Sequence, residues 1–199
     1  MLKPDWEMIE RNKGIVESLV AKMEDDSRRT AFQRLLEGPL GTTFFTAPAS
    51  SREAFHSCFP GGLAKHTIGV IARLKVLADT LHPNRWGRDT LITVGLCHDL
   101  GKAGDGLHDM YLPTDQDWKS RRGEHYDLNK AIQYMSVPQR ALYVLQSGGI
   151  SLTQEEYLAI LLSDGQYVAE NKPYAMREPD LAVLLHFADL HTTREENPG

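Results

Sequence analysis

The sequence predicts an all-α protein folded as a single compact helical bundle. Nearly every apolar segment repeats with the 3.6-residue period of one helix face, and Gly and Pro punctuate those segments at helix-length intervals. The 199 residues are 41% hydrophobic and 25% charged, which suits one domain that buries a continuous core without staples. About seven to nine helices are expected.

The first predicted helix runs from about Asp5 to Lys22, with Ile9, Val16, Leu19, Val20 and Met23 on its stripe. A shorter one opens near Ser27 and carries Phe32, Leu35 and Leu36. Residues 38–60 hold three prolines and many small side chains and read as an irregular crossing, with one helical turn at the Ser50-x-x-Glu53 capping box. After Gly61-Gly62 the pattern is strongly helical: His66, Val70, Leu74, Leu77 and Leu81 share a face, so His66 points inward. The next helix spans about Asp89 to Lys102 and ends its apolar run on the polar pair His98-Asp99. Between Ala103 and His125 no periodicity survives, and a loop of that length predicts a substrate loop or lid.

Helical pattern resumes over about Asp127 to Met135. Ser136, with Pro138 in the first turn, then opens a helix to Gln146. Thr153-x-x-Glu156 forms a second capping box, with Leu152 placed to staple onto Tyr157. The last helix covers about Pro179 to Thr192 and stacks Leu181, Leu184, Leu185 and Ala188 inward, with Asp189 beside the same stripe.

Charge and cysteine content narrow the function. A net charge of −5 gives no basic footprint for coating long nucleic acid, although a local pocket for small anions remains compatible with it. The two cysteines, Cys58 and Cys97, show no CxxC spacing and fit a reducing cytosol. The N-terminal residues carry no apolar signal-peptide core, and no stretch approaches the ~20 apolar residues of a membrane span. A cytoplasmic protein without membrane attachment is expected; oligomeric state is not encoded in these features.

Each residue of the candidate ligand set adjoins a buried helical face. His66, His98, Asp99 and Asp189 offer two imidazoles and two carboxylates, a mixed donor set suited to Mn, Fe, Co, Ni or Zn above the all-oxygen preference of Mg. Such a cation lowers the pKa of bound water to roughly 7 and polarises a phosphoryl oxygen. The His-Asp pair alone is weak, because 8 His and 14 Asp place on the order of half a pair by chance. Context distinguishes the two pairs present: His98-Asp99 closes an apolar helix and precedes Leu-Gly-Lys102, whereas His108-Asp109 lies in a Gly- and Asp-rich loop and is a bystander.

In order, His66, His98-Asp99-Leu-Gly-Lys102 and Asp189 in Phe-Ala-Asp-Leu resemble the H…HD…D signature of HD-superfamily metal-dependent phosphohydrolases. Phe59-Pro-Gly-Gly-Leu-Ala-Lys-His66, Arg122-Gly-Glu-His-Tyr126, Val137-Pro-Gln-Arg-Ala-Leu-Tyr143 and Asp164-Gly-Gln-Tyr167 are similar to a subgroup common in bacteriophage and bacterial genomes. The resemblance covers roughly residues 44 to 196. It divides the chain into an N-terminal helical segment, 1–40, packing on an HD-type domain, 41–199; if phage-encoded, the protein would work in the host cytoplasm.

The resemblance implies one divalent ion held by His66, His98, Asp99 and Asp189, with Asp99 and Lys102 as the catalytic residues. Lys102 would meet a substrate phosphate. His56 stands where relatives place a histidine near the pocket, for substrate contact or proton transfer. Apart from the resemblance, Arg121-Arg122 with Trp118 and Lys119 nearby reads either as a nucleotide grip, by phosphate pairing and stacking from Arg122 and Trp118, or as a solvated loop. Gln139 and Ser163 stand where phage-type relatives have histidine, which favours a single ion over two. The implied activity is hydrolysis of phosphate ester or anhydride bonds in small nucleotides such as deoxynucleotides. The alternatives are a phosphodiesterase of cyclic or short oligonucleotides and a non-catalytic HD nucleotide-binding module.

Overall fold

The computed structural model describes residues 2–197, and among these the chain is mostly helical. In chain order the helices are α1 (Trp6–Ala21), α2 (Asp26–Glu37), α3 (Pro39–Thr46), α4 (Gly62–Leu81), α5 (Arg88–Cys97), α6 (Asp117–Ser120), α7 (Val137–Ser147), α8 (Gln154–Leu161) and α9 (Asp180–Glu196). A two-stranded antiparallel hairpin, β1 (Tyr111–Pro113) and β2 (Tyr126–Leu128), brackets α6. None of these helices is long and apolar enough to cross a membrane.

Local chemistry sets the helix starts. The Asp5 carboxylate accepts from the Met8 N–H at 3.0 Å, and the Asp25 carboxylate accepts from the Arg28 N–H at 3.0 Å. Ser136/Gln139 and Thr153/Glu156 form full capping boxes on α7 and α8. Each such cap is worth about 1 kcal/mol.

Helix α4 is the spine: α5 and α9 pack along it, α1 and α3 cover it, and α8 lies against α5 and α9. One apolar cluster joins Ile9, Phe32, Phe44, Leu63, Leu74, Leu96, Leu145, Ile160 and Leu185. The N-terminal helices therefore share the core of the rest, and residue 40 lies within α3. The α4–α9 crossing is close. A Cβ at Gly69 would stand 2.7 Å from the Thr192 methyl carbon, and that approach, one turn from His66, brings α4 against the Asp189 face of α9.

Four local expectations are corrected. Residues 39–46 form α3, because Pro39 occupies the first turn and Leu40, Phe44 and Phe45 supply a buried face. No helical turn starts at Ser50, whose hydroxyl instead donates to the carbonyls of Arg52 and His56. Helix α5 stops at Cys97, and the chain tightens into a 3-10 turn over Leu100–Ala103. The segment expected as a helix from Asp127 begins as β2, paired with β1 through Leu112 and Asp127.

Candidate metal centre

Helices α4, α5 and α9 converge on one buried cluster. His66 is fully buried on α4, and its Nε2 lies 3.0 Å from Asp189 Oδ1 on α9, 123 positions away. Its other nitrogen, Nδ1, lies 2.9 Å from the Glu196 carboxylate, two turns beyond Asp189 on the same helix. Glu196 lies outside the motif that marks the other residues of the cluster. Its seven-residue spacing from Asp189 was the available signal, since it puts both carboxylates on one face of α9.

His98 caps α5 and is fixed by a hydrogen bond from Nδ1–H to the Gly95 carbonyl at 2.8 Å. With the proton on Nδ1, Nε2 presents a lone pair. That atom is buried and has no hydrogen-bond partner. An unpaired buried acceptor costs about 1–3 kcal/mol, and a cation resolves the deficit. The same Nε2 is 3.6 Å from Asp99 Oδ2, which is 3.8 Å from His66 Nε2.

The donor set fits a divalent ion. Donors about 2.1 Å from one ion sit roughly 3.0–3.5 Å from one another. Three of the six pairwise separations, 3.0, 3.6 and 3.8 Å, lie in or near that range, and His66, His98 and Asp189 each offer a donor within 4.8 Å of the others. The Glu196–His66 contact adds the outer carboxylate that orients a ligating imidazole and raises its basicity.

The charges fit as well. Burial alone would push Asp99 and Asp189 up; the Lys102 ammonium beside Asp99 and the His66 hydrogen bond to Asp189 reverse this and hold both below the ordinary carboxylate range. Burial opposes protonation of His66, but hydrogen bonds to Asp189 and Glu196 and the Asp99 charge push it up to about 9. Without an ion, His66 and Lys102 supply the positive charge that two buried carboxylates require.

Lys102 Nζ donates to Asp99 Oδ2 at 2.6 Å, and its side chain also borders an open cavity of about 650 Å³. Ser50, His56, Tyr111, Thr193 and Arg194 share that wall. The volume lies within the roughly 300–1,000 Å³ of small-molecule sites. His56 packs its ring against His66 with centroids 4.3 Å apart, and burial, then repulsion by His66, pushes it down to about 4. Asp164 keeps solvent exposure, yet partial desolvation and the Asp99 charge push its carboxyl up.

Trp118 and Arg122 are not brought to this cavity. Both are exposed near α6, where the Arg122 guanidinium sits 5.8 Å from the Trp118 ring, so their cation–π pairing is with each other. The second pair, His108-Asp109, is also apart: Asp109 accepts from the Thr43 hydroxyl, and His108 lies 3.5 Å from Asp105. Gln139 uses its side-chain carbonyl to cap α7, and the Ser163 carbonyl accepts from His186 Nδ1. Comparison of the chain with protein-family models, curated proteins and solved structures finds no match.

Proposed function

We propose that the chain is a divalent-metal-dependent phosphohydrolase of the HD type, acting on phosphate ester or anhydride bonds of small nucleotides such as deoxynucleotides. The observation that carries this reading is the buried, unpartnered Nε2 of His98, 3.6 Å from the Asp99 carboxylate and grouped with Asp189 and the carboxylate-backed His66, in a cluster from which Lys102 and His56 reach the wall of an open cavity.

His66, His98, Asp99 and Asp189 would hold the ion, which supplies Lewis-acid polarisation of a phosphoryl oxygen and acidifies water. Glu196 keeps the proton of His66 on Nδ1, so that Nε2 is free to donate its lone pair. The Gly95 carbonyl does the same for His98. Asp99 orients the Lys102 ammonium from 2.6 Å, and the side chain lies at the cavity wall, where it binds a phosphate oxygen and offsets the charge that develops on phosphoryl transfer. Arg194, on the same wall, adds a second cation with forked donors suited to phosphate.

The test is product analysis. Protein loaded separately with Mn, Co, Ni, Zn or Mg is incubated with deoxynucleoside mono-, di- and triphosphates and with cyclic and short oligonucleotides, and products are resolved by chromatography. Release of phosphate or pyrophosphate from the mononucleotides supports the reading. Cleavage confined to cyclic or oligomeric substrates makes the chain a phosphodiesterase, and binding without turnover makes it a nucleotide-binding module.

A further inference from the structure

The four donors described above do not exhaust the cluster. His56, from the loop between α3 and α4, offers a ring nitrogen that lies within 4.8 Å of donor atoms of both His66 and Asp99. Its Nε2 is buried without a hydrogen-bond partner, as is the Nε2 of His98. Its Nδ1 has only the Thr193 hydroxyl, at 3.5 Å. A histidine held purely for packing would not leave a buried ring nitrogen unpaired beside two carboxylates.

The ring spacing matches that of neighbouring ligands on a shared ion. Two imidazoles at adjacent positions on one ion, bonded at about 2.1 Å, bring their ring centres to roughly 4.5 Å. The His56 and His66 rings are 4.3 Å apart, and His66 and His98 are 5.5 Å apart, the wider spacing of two positions opened beyond a right angle. His66 is common to both donor groups, His56 with His66 and Asp99, and His66 with His98 and Asp189, so it joins His56 to the centre.

The backbone around His56 is built to hold it there. Ser57 is a non-glycine residue in the left-handed region, with φ of 42°, and its carbonyl accepts from the Ala49 and Phe59 N–H groups. The Ser50 hydroxyl grips the His56 carbonyl at 2.7 Å, and Asn197 at the end of α9 donates to the Ala54 carbonyl at 2.9 Å. Gly62 makes room: a Cβ there would stand 2.0 Å from the Ser57 carbonyl oxygen. A strained residue fixed by this many contacts points to a side chain that must be aimed.

Resting on the metal-centre reading above, we propose that His56 is a fifth protein ligand of the same cation, giving a three-histidine, two-carboxylate site. Five protein donors favour a six-coordinate ion such as Mn, Fe, Co or Ni over tetrahedral Zn, and a third imidazole selects further against Mg. One coordination position remains for substrate or water.

X-ray absorption spectroscopy of Co(II)-loaded protein counts imidazole ligands, and calorimetric titration with Co(II) reads affinity without turnover. Wild type is expected to show three imidazoles and His56→Ala two, with affinity lower by about 10- to 100-fold and helical circular dichroism unchanged. His56→Gln serves if the alanine variant does not fold, and the wild-type count decides by itself. Two imidazoles in wild type, or a count unchanged by either substitution, overturns the fifth ligand. If the two are those removed by His66→Ala and His98→Ala, the four-donor centre survives. A wild-type protein that retains no Co(II), or binds it without imidazoles, overturns both.

Discussion

Removing the Glu196 carboxylate should weaken metal binding although Glu196 is not itself a ligand. The carboxylate lies 2.9 Å from His66 Nδ1 and is nearly buried, so little solvent screens it. A hydrogen bond to a charged group contributes about 1.5–3 kcal/mol and a neutral one about 0.5–1.5 kcal/mol. Glu196→Gln keeps an acceptor for the Nδ1 proton but loses the charge. The difference is about 1 kcal/mol, or roughly fivefold in Kd. Glu196→Ala loses both and leaves His66 free to rotate or to place its proton on Nε2, so a loss of about 10- to 100-fold follows. Calorimetric titration of chelator-stripped protein with Co(II) or Ni(II) near pH 7.5 should rank wild type above Glu196→Gln above Glu196→Ala. An alanine variant within twofold of wild type would refute the orienting role of Glu196.

Three further outcomes follow from the same geometry. Asp99→Ala should abolish metal retention and turnover while helical circular dichroism stays near wild type, because it removes a ligand at the end of α5 and no core hydrophobe; full activity with retained metal would falsify the assignment. Lys102→Ala should cut kcat by about 10²-fold without weakening metal affinity, since its ammonium competes with the ion for Asp99; unchanged kcat is the contrary result. In chelator-stripped protein, His66 is raised to about 9 from an ordinary 6.5, so the stability it contributes is complete below about pH 6.5 and is lost as pH rises through 9. Thermal melts between pH 6 and 9.5 should show Tm falling across that window, and a flat profile would contradict the His66 network.

The long amphipathic helices could be read from the sequence because each carries several turns of one face and a cap of defined chemistry. Thr153 and Glu156, or Ser136 ahead of Pro138, mark a helix start by local hydrogen bonding alone. Helix α3 escaped because Gly, Pro and Thr dominate its composition, although Pro39 followed by Leu40, Phe44 and Phe45 held the signal. The hairpin escaped because strands of three residues are too short to display alternation, so its pairing depends on contacts that local sequence does not announce.

The same distinction runs through the candidate site. His66, His98, Asp99 and Asp189 were identifiable because each terminates or continues an apolar stripe, and the fold brings them within a few ångströms. Glu196 was not, because its role depends on an α4–α9 approach set by Gly69 and Thr192. Trp118 and Arg122 read in sequence as either a nucleotide grip or a solvated loop, and the structure places them on the exposed surface beside the hairpin, away from the cluster, with the guanidinium over the indole.

Metal-dependent phosphoryl hydrolysis at this one cluster, as proposed above, is tested by a single titration. Chelator-stripped protein receives increasing equivalents of Co(II) or Mn(II), and phosphate release from a deoxynucleotide substrate is followed beside retained metal by elemental analysis. Activity should rise from zero and level at one ion per chain, with His98→Ala inactive throughout. Turnover that persists without metal, that levels only at two retained ions, or that survives in His98→Ala would rule out a single catalytic ion at this cluster.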